Sequence, residues 1–272
     1  MLLKFSKYSG CGNDFILIDN RTSFFPIEKA PIVQKLCKRC TGIGADGVIL
    51  LEDSLHSDFR MRIFNADGTE AEMCGNGIRC LMKFVQDLGV KQKNIIFETF
   101  LRPLAVSIKG DLVSVEMGLP FDIKYDIPLK IEGEGYKVHY INTGVPHIVL
   151  LTEALENFEL SGLGPKFRHH IQFAPQGANL NVTQLMPNGE LWNRTFERGV
   201  EGETQACGTG CAAVAVIANK YLGICSPIKV RTRSLELIEI SIAHEGPDIK
   251  TLTMTGPAAK VFAGEVDLYF EG

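Results

Sequence analysis

The sequence has no run of consecutive apolar residues approaching the roughly 20 needed for a membrane-spanning helix. Its first residues, Met1-Leu-Leu-Lys-Phe-Ser-Lys, lack the apolar segment of a secretory leader. A cytoplasmic location without a membrane partner is the expectation. Blocks of five or six like charges are missing too, and 28 Lys plus Arg stand against 32 Asp plus Glu. Without a basic arm or stripe, nucleic acid is not an expected partner and a small molecule is. There is no second CxxC or suitably spaced His pair to complete the zinc-like spacing Cys37-Lys-Arg-Cys40, so no metal is expected. With no secretory leader, the eight cysteines read as reduced thiols rather than a disulfide framework.

What is present suits a folded enzyme-sized protein: 45% of residues are hydrophobic and 22% charged. At 272 residues, two domains are expected rather than one. Short apolar segments separated by Gly, Asn and Asp turns read as strands over 2–7, 15–19, 48–52, 60–65, 95–98 and 104–109. In the second half they lie at 138–142, 148–151, 180–184, 191–197, 228–231, 235–243, 251–255 and 261–268. Helices are expected from Pro31 to about Cys40, along the face Ile78, Leu81, Met82, Val85 and Leu88 with Gly89 as its cap, and over Cys211–Tyr221 ending at Gly223. The strict βαβ alternation of a doubly wound sheet is missing, which leaves the α+β class.

A slide of 133 residues brings three blocks into register. Residues 12–16 fall on 145–149, Gly44-Ala45-Asp46 on Gly177-Ala178-Asn179, and Cys74-Gly75-Asn76-Gly77 on Cys207-Gly208-Thr209-Gly210. Arg62-Ile63-Phe64-Asn65 matches Arg194-Thr195-Phe196-Glu197 at 132, placing one extra residue near Val200–Glu201. Ordered matches of this kind argue for two homologous halves with a ligand site between them. The expected domains are 1–119, with the final strand 259–272 packing back on it, and 120–258.

The repeated cysteine block carries the chemistry. A thiol at a helix N-terminus lies beside the positive end of the macrodipole, which lowers its pKa and lets it act as a base near neutral pH. The glycines allow backbone N–H groups to approach a carboxylate. Two such starts facing each other would clamp one carboxylate and set Cys74 and Cys207 on opposite faces of the adjoining carbon. A thiolate and a thiol so placed can remove a proton from one face and return one to the other. The developing charge spreads into the carboxylate, so no cofactor is needed. Cys80, Cys211 and Cys225 are expected in packing roles.

Across nearly its whole length the sequence resembles diaminopimelate epimerase. The resemblance rests on Gly10-Cys-Gly-Asn-Asp-Phe, Gly42-Ile-Gly-Ala-Asp, Phe64-Asn-Ala-Asp-Gly with Cys74-Gly-Asn-Gly-Ile-Arg, Asn142-Thr-Gly-Val-Pro-His, Ala178-Asn179, and Glu197-Arg-Gly with Glu203-Thr-Gln-Ala-Cys-Gly-Thr-Gly. It implies two pseudo-symmetric halves, each a mostly antiparallel sheet wrapped around a central helix. It also implies interconversion of LL- and meso-2,6-diaminopimelate, in lysine and peptidoglycan synthesis, without pyridoxal phosphate. By the same likeness Cys74 and Cys207 are the acid/base pair and His147 an auxiliary group tuning a thiol. Gly75, Asn76, Gly208 and Thr209 hold the reacting carboxylate, and Asn13, Asn65, Asn179, Glu197 and Arg198 read the rest of the substrate. The resemblance leaves room for a homodimer.

Two departures stand out: Gly47 where a glutamine often follows Gly-Ala-Asp, and Val145 where an asparagine often precedes Pro-His. Each removes a polar contact and so predicts weaker discrimination at the distal end of the substrate, with slow racemisation of glutamate. A proline or hydroxyproline racemase is the rival enzyme reading, against which the Glu197-Arg198 pair argues, since a ring substrate has no distal amino-acid group. A duplicated binding module without catalysis is the rival outside enzymes. Relaxed specificity predicts that the α-hydrogen of L-glutamate exchanges with deuterated water, more slowly than that of LL-diaminopimelate; no exchange removes it.

Overall fold

The structure is a computed structural model that describes residues 2–26 and 30–268. Its contacts divide the chain into two compact units, Met1–Val115 with Gly256–Gly272, and Glu116–Thr255. Of the final strand expected over 259–272, residues 269–272 lie outside the described residues.

The first unit contains β1 (Leu2–Gly10), β2 (Asn13–Asp19), α1 (Ala30–Cys37), β3 (Gly47–Glu52), β4 (Phe59–Asn65), β5 (Glu70–Ala71), α2 (Gly75–Asp87), β6 (Asn94–Glu98), β7 (Leu104–Lys109) and β8 (Leu112–Met117). The last strand of the chain, β18 (Ala259–Asp267), pairs with β1. The strands run β18-β1-β2-β3-β4-β6-β7-β8, with β5 beside β4. Among the described residues of this unit, β2–β3 and β4–β6 are the parallel pairs. Every inner position of β3 is buried, because the strand is covered on both faces, and this is why its sequence reads as an unbroken apolar run rather than an alternation. Val48 and Leu50 join Ile32, Val33 and Leu36 of α1 in one core. From the other face, Ile49 reaches α2 at Gly77.

The second unit contains β9 (Phe121–Ile131), β10 (Glu134–Asn142), β11 (Pro146–Leu151), α3 (Leu160–Arg168), β12 (Asn179–Leu185), β13 (Leu191–Glu197), β14 (Gly202–Thr204), α4 (Gly208–Leu222), β15 (Ile228–Arg231), β16 (Leu237–Glu245) and β17 (Asp248–Pro257). Its order is β9-β10-β11-β12-β13-β15-β16-β17, again with two parallel pairs, β11–β12 and β13–β15, in the same places. Ile148, Leu150, Leu180 and Val182 pack with Leu160 and Phe167 of α3. α4 is buried continuously from Gly210 to Ala218 and touches six of the strands. Its alanines are what a helix enclosed on all sides requires: it has no polar face, and small side chains let the strands close on it. The left-handed Gly223 (φ 71°) ends it.

The strand register revises the repeat. Ile49 faces Ile63 in β3–β4, and Asn181 faces Thr195 in β12–β13, which superposes the hairpins at 132 residues, the offset read for Arg62–Asn65, and moves the two blocks before it from 133 to 132. Gly47 rather than Asp46 is therefore the counterpart of Asn179, and the extra residue of the second half lies between β13 and α4. There Glu201 adopts a left-handed φ of 53° and is pinned by Arg168 at 3.2 Å.

Several expectations are corrected. The helix opened near Pro31 ends at Cys37, because the chain turns away and Cys40 takes a φ of 70°. α3 was not expected; Gly162, Gly164 and Pro165 interrupt its apolar period. β9 was hidden by its charges and Pro128, a residue tolerated there at the end of the strand order. Leu88 lies beyond the end of α2 and is 40% exposed, whereas Leu81 is fully buried. Replacing Leu81 with alanine is expected to cost about 2–5 kcal/mol, and Leu88→Ala less than about 1 kcal/mol, as read by urea unfolding.

Candidate active site

Each unit begins its enclosed helix with a cysteine in extended conformation. Cys74 (φ −139°, ψ 117°) caps α2, its Sγ accepting from the Gly77 N–H at 3.4 Å. Cys207 (φ −121°, ψ 109°) takes the same place before α4. Such a start leaves backbone N–H groups with no partner inside the helix, and these point at whatever lies beyond it. Gly77 and Gly210 sit in close contact with the sheet, tightest at Gly210. A Cβ on Gly77 would lie 2.9 Å from Ile49 Cδ1, with Met61 and Ile63 at 3.3 Å, and one on Gly210 would lie 2.3 Å from Asn181 Oδ1.

In the first unit the amide of Asn76, 2% exposed, is fixed at both ends. It donates to Asn13 Oδ1 at 2.7 Å and accepts from Arg79 Nη2 at 2.7 Å. Arg79, fully buried, also donates to Gly75 O, Cys11 Sγ and Pro257 O at 3.1, 3.1 and 3.4 Å. Its guanidinium ties the first turn of α2 to the turn between β1 and β2 and to the chain entering β18. Asn13 in turn donates to Asp46 at 3.0 Å, and Asp46 is gripped by Arg39 at 2.9 Å. Burial would raise the neighbouring Asp14 carboxyl, but Arg39 and Lys7, both at 2.8 Å, outweigh it and hold the group below the usual range. Cys74, Gly75, Asn76 and Asn13 thus form one constellation. Asn65 stands apart at the exposed end of β4, donating to Thr69 at 3.0 Å.

In the second unit the Cys207 thiol is 7% exposed and lies 3.4 Å from the Thr209 hydroxyl, while Thr143 donates to Thr209 O at 3.0 Å. Burial pushes this thiol well above the ordinary range, and the Glu197 carboxylate pushes it further, against a smaller pull from Thr209. The lowered pKa expected at both helix starts is therefore corrected at Cys207: desolvation outweighs the hydrogen bonds from Thr209 and the Gly210 N–H, which favours the thiol. Burial likewise raises the Glu197 carboxyl. Asn179 clamps two elements, donating to Pro146 O at 3.1 Å and accepting from the Arg198 N–H at 2.7 Å.

His147, placed in a loop by the sequence, is the second residue of β11 and is fully buried. Burial, with the Arg198 charge adding to it, takes its pKa down to about 3, so the ring is neutral. Of the three cysteines expected in packing roles, Cys80 and Cys211 are buried, but Cys225 is exposed. Gly47 is explained by the backbone: a Cβ there would meet the Phe64 carbonyl oxygen at 2.5 Å, so a glutamine would require that strand to move. Sequence reasoning missed Arg79, although it lies inside the quoted motif, and Asn181, whose signal was a polar residue two places after Asn179 on a buried strand.

This fold is shared with solved structures of other proteins. The structure matches a phenazine biosynthesis protein of the PhzF family from Bacillus anthracis (TM-score 0.78, 16% identity, 98% of this chain and 100% of that one). It also matches a hydroxyproline epimerase from Agrobacterium vitis (TM-score 0.73, 14% identity, 98% and 93%). At the level of sequence, the family model for diaminopimelate epimerase matches residues 5–121 and 139–261. Relatives named diaminopimelate epimerase include those of Hydrogenobaculum sp. (40% identity, 95% of this chain and 96% of the relative) and Aquifex aeolicus (38%, 97% and 98%). The chain belongs to the diaminopimelate epimerase family.

The neutral His147 has a consequence for stability. The unfolded chain binds a proton on this ring below pH 6.5, whereas the folded protein binds it only near 3, so stability is lost as pH falls through that window. The expected loss is about 1.4 kcal/mol per pH unit. Between pH 7 and 5 the wild type should lose about 2 kcal/mol more than His147→Gln in urea unfolding.

Proposed function

We propose that this chain interconverts LL- and meso-2,6-diaminopimelate, without a cofactor, by two-base proton transfer at one α-carbon. The observation that carries the reading is the repetition of one device: a cysteine-initiated, enclosed helix whose free backbone N–H groups and neighbouring amide can hold a carboxylate. Gly75-Asn76 and Gly208-Thr209 supply those N–H groups, and Asn76, fixed by Arg79 and Asn13, needs no reordering when the carboxylate arrives. Cys74 takes the α-proton in one direction. Cys207, kept as the thiol by its burial, returns a proton to the opposite face, and the reverse direction exchanges the roles.

Asn65, Asn179, Glu197 and Arg198 would read the distal amino-acid group, Arg198 through its fork of donors. We place the reaction in the cytoplasm, where free thiols are maintained, with the amino acid as the small-molecule partner. Membrane and nucleic-acid partners are not part of this reading, and the chain is free to form a homodimer. Among the described residues no helix is long and apolar enough to cross a membrane.

Incubation with LL-diaminopimelate and no added cofactor should yield the meso isomer, with solvent deuterium appearing at the product α-carbon. Cys74→Ala and Cys207→Ala, assayed separately, should each lower kcat by about 10³-fold or more while ligand binding persists. Faster turnover of proline or hydroxyproline would favour the racemase reading. Binding of diaminopimelate with neither turnover nor exchange would favour a non-catalytic module.

A further inference from the structure

Behind Cys207 lies a buried polar cluster that the two-base reaction does not use. Asn181, fully buried on β12, donates from Nδ2 to the Ile148 carbonyl at 3.2 Å and has His147 Nδ1 at 3.0 Å from the same nitrogen. Its Oδ1 accepts from the Thr195 hydroxyl at 3.0 Å and from Asn193 Nδ2 at 3.4 Å. A carbonyl oxygen can only accept, so the amide atom facing Ile148 O is the NH₂ group. The same NH₂ faces His147 Nδ1, which must then be the bare, accepting nitrogen. The ring proton is on Nε2, and this N–H is buried with no partner of its own among the described residues.

Asn181 is also tied to the catalytic turn. A Cβ on Gly210 would lie 2.3 Å from Asn181 Oδ1 and 3.3 Å from Cys207 Sγ, so the amide and the thiol press on the same side of the first turn of α4. A second proton on the ring would set Nδ1–H against an N–H donor. The titratable groups acting on the ring and the thiol are Arg198, which opposes protonation of His147, and Glu197 and, more weakly, Cys211, which oppose ionisation of Cys207.

We propose that Asn181 is a positioning residue that locks His147 as the neutral Nε2–H tautomer, so that His147 serves the substrate as a fixed hydrogen-bond donor and not as a proton carrier. An unsatisfied buried N–H is unfavourable in the free protein, and a substrate oxygen that accepts it removes that cost on binding. The second half of the proposal rests on the epimerase reading; the tautomer does not. The residue acts through His147 and is distinct from the groups that hold the carboxylate.

The test uses the full-length protein labelled with ¹⁵N at histidine, the His147 signals being those missing from His147→Gln. The wild type should show an unprotonated Nδ1 and a protonated Nε2 with no titration from pH 8 to pH 5, and the Nε2–H signal should shift when LL-diaminopimelate is added. Asn181→Asp, nearly the same shape but with an acceptor facing Nδ1, should draw a proton onto Nδ1 and lower kcat about tenfold or more. His147→Gln, whose amide keeps a donor near Nε2 but cannot titrate, should lower kcat by less than about 10³-fold. A wild-type ring that titrates between pH 5 and 8, or carries its proton on Nδ1, overturns the proposal even if Asn181→Asp fails to fold. Loss of about 10³-fold or more in His147→Gln would make the histidine a proton carrier and overturn it too. If diaminopimelate is not turned over, the epimerase reading and the donor role fail together, while the nitrogen spectrum still decides the tautomer.

Discussion

Everything in each unit is arranged around one awkward requirement: the N-terminus of a helix must be enclosed and yet remain open to a ligand. Helix starts carry backbone N–H groups without internal partners, and most proteins leave them in water or cover them with a capping side chain. Here the cap is a cysteine, whose sulfur is a weak acceptor and competes little with an incoming carboxylate. The glycines that follow keep side chains out of the way. The rest of each unit serves to hold that terminus in place: a sheet with two parallel pairings, closed over a largely buried helix.

Holding a polar terminus in a buried setting sets the electrostatics around it. In the first unit an arginine with no exposure binds the turn through carbonyls, an amide and a sulfur. A wider lattice of Lys7, Asp14, Arg39 and Asp46 surrounds Asn13. In the second unit the same environment works on the reacting group itself, keeping Cys207 protonated and His147 uncharged. Sequence reasoning placed the helix dipole at both cysteines and left out the counterweight. A dipole's effect can be read from spacing, whereas desolvation depends on what tertiary packing brings in from β11, β12 and β13.

That contrast describes how far the sequence carried. The two cysteine motifs, the central helices and most strands were legible, because short-range rules of glycine, apolar periodicity and caps govern them. The duplication was legible as well, but its first two blocks were one residue out until strand pairing set Asn181 beside Thr195. α3 and β9 were lost to internal glycines and prolines that tertiary contacts override. Arg79 looked like one more helical charge and Asn181 like one more strand residue. Nothing local distinguishes a buried arginine that organises a turn from one that faces water.

The corrected register aligns two shelves of opposite character. Beneath Gly77 lie Ile49, Met61 and Ile63; the equivalent positions beneath Gly210 are Asn181, Asn193 and Thr195. The same backbone therefore rests on grease in one half and on a hydrogen-bonded lattice in the other. A greasy shelf can drift, since one methyl group substitutes for another with small adjustments in volume. A lattice cannot, because each member that leaves strands its partners, so its residues must change together or not at all. Duplication thus gave this protein one helix start that can change piecemeal and one whose support is inherited as a block.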